Sequence, residues 1–222
     1  MGWLLNSLNS SIGKKFVMAV TGVCLLSFLT VHLIGNMTLY IGKEMFNGYA
    51  GMLGRVEPLI RVIEVILALI ILLHIYNGVR LWWQNRKAKG INYTINASSK
   101  NSTLGSRTMI ITGTTILVFL ILHLYTVWFK FNFTGAKHEQ DLYEMVVSLL
   151  RIPWYSALYV IAIGLMFWHL NHGFQSAFQT FGWNHNKYSP LIKALGAIYA
   201  FIMFAGFVSI PIYFYFFSGG NS

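Results

Sequence analysis

Residues 112–124 read TGTTILVFLILHL, an apolar run with His123 near its end. Residues 21–33 read TGVCLLSFLTVHL, and Thr-Gly, Phe-Leu and His-Leu recur in register 91 residues apart. A second pair of stretches behaves in the same way. VILALIILLHIYNG, residues 65–78, and VIAIGLMFWHLNHG, residues 160–173, share a valine nine before a histidine and a glycine four after it. Apolar stretches match by chance, so the histidines and glycines carry the comparison. Two hairpins of one design follow, with one further apolar segment after them.

Each stretch lies in a segment long enough to cross a bilayer, which takes roughly 20 apolar residues. The spans are predicted at about 15–41, 59–84, 107–131, 155–181 and 190–217. Of the 222 residues, 56% are hydrophobic and 10% charged, too apolar a balance for a soluble domain. Little chain remains outside the spans. The expected fold is all-α: a polytopic membrane protein forming one domain over residues 1–222, a four-helix bundle of two repeated hairpins plus a fifth helix. The first span is longer than a signal-peptide core and lacks a small-residue cleavage pattern, and MGWLLN lacks a myristoylation hydroxyl. The single cysteine, Cys24, excludes an intrachain disulfide and covalent haem attachment through CxxCH.

The formal net charge of +10 does not call for nucleic acid. Lys14 and Lys15 precede the first span; Arg86, Lys87, Lys89 and Lys100 fill the second loop; Lys187 precedes the fifth span. The remaining loops are balanced or acidic. The positive-inside rule then puts the N-terminus in the cytoplasm, the C-terminus outside, and all three basic regions on one face. The sequon-like NYT, NAS and NST fall on that inner face. Outside, DLYEMVVSLL is expected to form a short interfacial helix, and Pro211 to kink the fifth span.

Histidine is costly in hydrocarbon, so four of them at matched positions need an occupation. His32 and His123 lie 17 and 16 residues along outward-running helices, about 25 and about 24 Å of rise. His74 and His169 lie 15 residues along inward-running helices, about 22 Å down. Two depths result, roughly 15 Å apart in a core about 30 Å thick, each with two histidines from different helices. Zinc takes four protein ligands or three plus water, and two imidazoles leave it unfinished. Haem supplies four nitrogens of its own and needs two axial ligands. The chain therefore has axial ligands for two b-type haems, His32 with His123 and His74 with His169. Such six-coordinate iron carries electrons rather than activating oxygen. Gly78 and Gly173 share the ligand faces, and Gly22 and Gly113 lie close to them in the next layer, where a flat macrocycle can approach the backbone. The competing reading for any single histidine is a hydrogen-bonded packing group or a proton relay. His138 and His185 fall in loops as exposed side chains.

TGVCLLSFLTVHLIGN around His32, LLHIYNG around His74, LILHLY around His123 and WHLNHG around His169 together resemble one family over the whole chain. It is the dihaem cytochrome b membrane anchor of succinate:quinone oxidoreductases, the succinate dehydrogenase/fumarate reductase complexes. The resemblance implies a non-flavin subunit of a respiratory-chain and tricarboxylic-acid-cycle enzyme in a bacterial plasma membrane. A flavoprotein subunit, which carries the succinate and fumarate chemistry, and an iron–sulfur subunit would dock on the cytoplasmic face. A higher oligomer of the whole complex is compatible with this reading. Electrons would pass through the inner haem (His74, His169) and the outer haem (His32, His123) to or from a quinone, with menaquinone favoured. The basic inner loop at Arg86–Lys100 is either the docking surface or topology alone. Glu57, Arg61 and Glu64 are the candidate quinone residues, against an Arg61–Glu64 ion pair and a capping Glu57. Arg80, His172 and Arg107 are candidate propionate partners for the inner haem, and Arg61 or Lys130 for the outer. Alignment with LLHIYNG makes His169 the ligand and sets His172 opposite Asn77. Two alternatives stand beside this: a dihaem subunit of a formate dehydrogenase or hydrogenase, and a proton-coupled transporter with a histidine relay. Mostly apolar residues between the two levels disfavour the relay.

Overall fold

A computed structural model of the chain describes residues 2–88, 104–133, 141–183 and 185–217. These residues are helical with short connections, and no strand occurs among them. Helix α1 (Gly2–Asn9) precedes α2 (Ser11–Met37), which ends in a 3₁₀ turn at Thr38–Tyr40. Then come α3 (Lys43–Arg55), α4 (Glu57–Ala88) and α5 (Leu104–His123). The chain continues from α5 through a π-helical segment, Leu124–Phe129, into a last α turn at Lys130–Phe133. Helices α6 (Leu142–Leu150), α7 (Pro153–Thr180) and α8 (Ser189–Phe217) complete it.

Local chemistry sets the ends. Ser10 accepts the Gly13 N–H at 3.0 Å, a side-chain cap that starts α2 four residues before the predicted Lys15. Proline opens α7 at Pro153 and follows the first residue of α4 and α8, where its missing N–H leaves no helical bond unmade. Asp141 caps α6 through the Tyr143 N–H at 3.0 Å. Among the described residues five helices are long and apolar enough to cross a membrane: Ser11–Tyr40, Glu57–Lys87, Arg107–Phe133, Pro153–Thr180 and Ser189–Phe217. Large apolar side chains such as Ile63, Leu69, Val118 and Phe201 are exposed along them, as a lipid-facing surface requires. The protein is an all-α, multi-pass membrane protein.

The chain divides into two compact units, and each of the five long helices contributes a stretch to both. The first comprises Met1–Phe28, Glu64–Thr112 and Trp168–Ala200. Here Tyr199 of α8 donates to the Leu26 carbonyl at 2.8 Å, and a Cβ on Gly196 would lie 2.9 Å from the Phe174 ring, so only glycine permits that approach.

The second unit comprises Leu29–Ile63, Gly113–Phe167 and Phe201–Ser222. Its core gathers Leu39, Phe46, Val147, Leu150, Tyr155, Ile210 and Phe214. The interfacial helix expected from DLYEMVVSLL is α6, which buries Met145, Val147 and Leu150. Helix α3 has no counterpart among the predicted elements. Its sequence, KEMFNGYAGMLGR, carries three glycines that weaken local helix preference, and burial of Phe46 supplies the missing support. Lys43 pairs with Asp141, and Asn47 donates to the same carboxylate. Partial burial pushes Asp141 up, but bonds from Lys43, Asn47 and the Tyr143 N–H, with the Lys43 charge, bring it below the usual carboxylate range. The bond to Asp141 and its charge raise Lys43. His185 is exposed, as expected, while His138, Lys89, Lys100 and the three sequon-like motifs lie outside the described residues.

Candidate functional site

In the first unit, α4 and α7 bring His74 and His169 together, their ring centres 6.4 Å apart and their planes 62° from parallel. Each is held from behind by a threonine on the other helix of its own hairpin. Thr21 Oγ1 lies 3.1 Å from His74 Nδ1, and Thr112 Oγ1 lies 3.2 Å from His169 Nδ1. Both threonines are buried, and both hydroxyls turn back to helix carbonyls: Thr21 to Val17 at 2.8 Å and Met18 at 3.1 Å, Thr112 to Thr108 and Met109 at 3.2 Å each. A hydroxyl has one proton. With it committed to the helix, the oxygen accepts from the imidazole, so Nδ1 carries the hydrogen and Nε2 keeps its lone pair. That is the tautomer a metal-ligating histidine needs, set by the bond its other nitrogen makes.

Glycines and methionines extend the same two-fold pattern. A Cβ on Gly22 would lie 3.7 Å from His74 Cε1, so Gly22 sits beside the ring. A Cβ on Gly78 would meet the Met18 methyl at 3.4 Å, and one on Gly173 the Met109 methyl at 3.9 Å. Met18 and Met109 are themselves 91 residues apart, which lengthens the shared motif to Met-x-x-Thr-Gly. The atoms beside Gly78 and Gly173 are thus the tips of long, flexible side chains.

In the second unit, His32 and His123 face each other with ring centres 5.9 Å apart. Phe119 stacks on His123 at 5.8 Å, and Phe207 of α8 lies 5.9 Å from His32. The helper of His123 is not a threonine. Its Nδ1 lies 2.9 Å from the Tyr159 hydroxyl on α7. Tyr159 lies 2.9 Å from the Tyr155 hydroxyl, which lies 2.7 Å from Thr126 Oγ1, and Thr126 bonds the Leu122 carbonyl at 2.8 Å. Gly113 is half-buried on α5, ten residues before His123.

The donor set fits haem. A metal–imidazole bond is about 2 Å and a ring nitrogen lies about 1.1 Å from its ring centre, so axial rings on one iron have centres about 6 Å apart. Both pairs meet that spacing. Among the described residues no three His, Cys, Asp or Glu side chains converge, so each pair offers two ligands and no more.

Other expected residues are placed as follows. His172 is half-buried on α7, and its aligned partner Asn77 is buried. Arg80 donates to Asn9 at 3.1 Å and lies 5.9 Å over the Tyr76 ring, beside a shallow groove of about 260 Å³ that Trp83 and Gln84 also line. Arg107 is exposed, and Lys130 lies over Tyr125 at 5.9 Å. Arg61 donates to Glu57 at 3.1 Å and to Asn132 at 2.7 Å, an i,i+4 pair rather than only the i,i+3 spacing to Glu64 weighed from sequence. Glu64 is half-buried on α4 within the first unit.

Three kinds of residue escape the sequence. Thr21 and Thr112 stand in the repeat, yet their partners lie 53 and 57 residues away. Tyr159 precedes His169 by ten residues, the position Glu64 occupies before His74, so the alignment marks it as a place where the hairpins diverge. Lys14 reads as an inner-face charge, but it is 6% exposed and donates to neutral Gln84 at 2.7 Å.

The family whose pattern matches this chain is described as the succinate dehydrogenase/fumarate reductase transmembrane subunit, over residues 16–101 and again over 93–207. The first match takes in the first hairpin of the repeat, and the second takes in the second hairpin and runs on into α8. No characterised protein and no solved structure matches the chain.

Proposed function

The chain belongs to the succinate dehydrogenase/fumarate reductase transmembrane subunits, and from that membership we propose that it is the dihaem cytochrome b anchor of such a complex. It is a multi-pass membrane subunit of an electron-transport enzyme. In the proposed role it carries electrons between an iron–sulfur partner subunit and a membrane quinone, with a flavoprotein subunit beyond. The observation that carries the proposal is the presence of two histidine pairs at axial spacing, 6.4 and 5.9 Å between ring centres.

Bound haem supplies a one-electron couple; the chain supplies its surroundings. His74 and His169 would hold the inner group and His32 and His123 the outer; with Nδ1 bonded, His74, His169 and His123 would offer Nε2. Thr21 and Thr112 fix the inner rings. Gly22, Gly78, Gly113 and Gly173 keep the neighbouring backbone clear of Cβ atoms. Lys14, buried and donating to neutral Gln84, is assigned with Arg80 and His172 to carboxylate groups at the inner end, because a buried ammonium without a counter-charge is costly. Glu57, Arg61 and Glu64 are the groups assigned to the quinone, whose reduction consumes protons as well as electrons; menaquinone suits a site on the outer side. Lys15, Arg86, Lys87 and Lys187 are the charges assigned to the partner subunits in a bacterial plasma membrane, with the N-terminus cytoplasmic and the C-terminus outside.

A reduced-minus-oxidised spectrum of the purified complex, with haem counted per chain, tests this directly. A b-type alpha band and two haems per anchor chain are expected. One haem, or none, would overturn the dihaem assignment.

A further inference from the structure

The two hairpins repeat in sequence, yet His123 is supported differently from the histidines of the other pair. His74 and His169 each lean on one threonine of the first unit. His123 leans on a chain of three hydroxyls within the second unit: Tyr159, Tyr155 and Thr126, at 2.9, 2.9 and 2.7 Å in turn. Thr126 ends the chain on the Leu122 carbonyl at 2.8 Å, so its proton points back into its own helix. The proton order then follows link by link. Thr126 accepts from Tyr155, Tyr155 from Tyr159, and Tyr159 from His123 Nδ1–H. Each hydroxyl accepts and donates, and each bond polarises the next. A tyrosine that is itself donating is a stronger acceptor than one that is not.

The backbone is shaped for this chain. Immediately after His123 the helix widens into the π-helical segment Leu124–Phe129, in which Thr126 is the buried residue. The equivalent stretch after His32 stays α-helical through Met37. Wide turns of this kind inside a helix recur at functional sites. Tyr155 is 1% exposed and Thr126 8% exposed, so bulk water has little access to the middle of the chain. Tyr159 also packs edge-on to Phe119 at 4.8 Å, and Phe119 stacks on His123. Ring and acceptor are thereby held together.

We propose that Tyr159, backed by Tyr155 and Thr126, is the positioning residue of His123, and that its hydroxyl chain gives the His32/His123 haem a lower midpoint potential than the same pair would have without it. The inference rests on the dihaem reading above. A stronger acceptor at Nδ1–H makes the imidazole a better electron donor, which favours ferric over ferrous iron; second-shell bonding is one of the protein's levers on haem potential. Tyr159 touches the ligand and acts through it.

The test uses the whole complex, wild type and Tyr159→Phe, with haem per chain, low-spin EPR signals and an optical redox titration. Phenylalanine keeps the ring packing and removes only the hydroxyl. The expected result is two haems retained and one of two midpoints raised. A tenfold shift in that reduction equilibrium would be about 59 mV for a one-electron couple. Thr21→Val should move the other midpoint, which assigns the two transitions. Tyr155→Phe leaves the Tyr159 hydroxyl in place but removes its acceptor, and should shift the same midpoint as Tyr159→Phe by less. If Tyr159→Phe fails to assemble, the Tyr155→Phe titration decides alone. Two haems with both midpoints and EPR signals unchanged would overturn the proposal. A wild-type complex without two b-type haems would instead overturn the reading beneath it.

Discussion

Thr21→Val removes one oxygen from a buried position and keeps the side-chain shape. Thr21 is 6% exposed, and its hydroxyl bridges His74 Nδ1 to the Val17 and Met18 carbonyls. Those carbonyls keep their helical partners, so the loss falls on the imidazole N–H. Leaving such a donor unsatisfied costs about 1–3 kcal/mol in a protein interior. Interhelical bonds in membranes average less, about 0.6 kcal/mol with a maximum near about 1.7. An intermediate value of about 1–2 kcal/mol corresponds to haem held roughly 5–30-fold more weakly. It falls within or just below the tenfold to hundredfold typical of lost outer-shell partners, as roughly expected.

The assay is transfer of haem from the purified complex to excess apomyoglobin, followed optically for the two haems separately. Thr112→Val should weaken the same haem by a similar factor, since Thr112 serves the facing ligand. The two threonines touch different histidines, so the double variant should show roughly the product of the single effects. Ser27→Ala is the control: Ser27 is exposed on α2 and bonds the Val23 carbonyl at 3.0 Å. Equal haem loss from Thr21→Val and Ser27→Ala, with two haems bound at the start, would refute the assignment of Thr21 to His74.

His169→Ala should release one haem per chain or prevent assembly, whereas His172→Ala should retain both, read from haem stoichiometry. Gly206→Ala should lower the melting temperature in detergent, because the added Cβ would lie 2.8 Å from Leu33 Cδ2; overpacking of this kind costs about 1–3 kcal/mol. Gly164→Ala, where nothing lies within 4 Å, should be near neutral. The Lys43–Asp141 pair predicts a pH window for protease resistance of α3. Asp141 titrates below its unfolded value, so its contribution is present above about pH 4 and is lost as pH falls through the depressed pKa. Lys43 titrates above its unfolded value, so its contribution holds below about pH 10.5 and fades as pH rises through the raised pKa. Asp141→Asn should flatten both limbs. Resistance of wild type and variant falling in parallel with acid would sink this account.

The five spans and the pairing of the histidines were legible in the chain because hydrocarbon imposes rules that a sequence obeys openly. A helix must stay apolar for about 20 residues to cross. A histidine inside that length stands out. Its distance from the span's end converts to depth at about 1.5 Å per residue. Two copies of one hairpin then matched His32 to His123 and His74 to His169 without reference to any contact. Helix α3 was not legible, since its glycines argue against a helix locally and only the burial of Phe46 against the rest of its unit supports one. The Arg61 partner was half legible: the charges were visible, but Asn132 lies 71 residues away on another helix.

Sequence alone determined the class of this protein and which histidines pair as candidate ligands. Tertiary structure decided which atom stands behind the imidazoles of His74, His169 and His123. Thr21 reaches His74 and Tyr159 reaches His123 because of how far each helix is rotated about its axis and how closely it approaches its neighbour. Periodicity names the face a residue lies on, but a hydrogen bond needs two faces within about 3 Å of each other. Only packing brings them there.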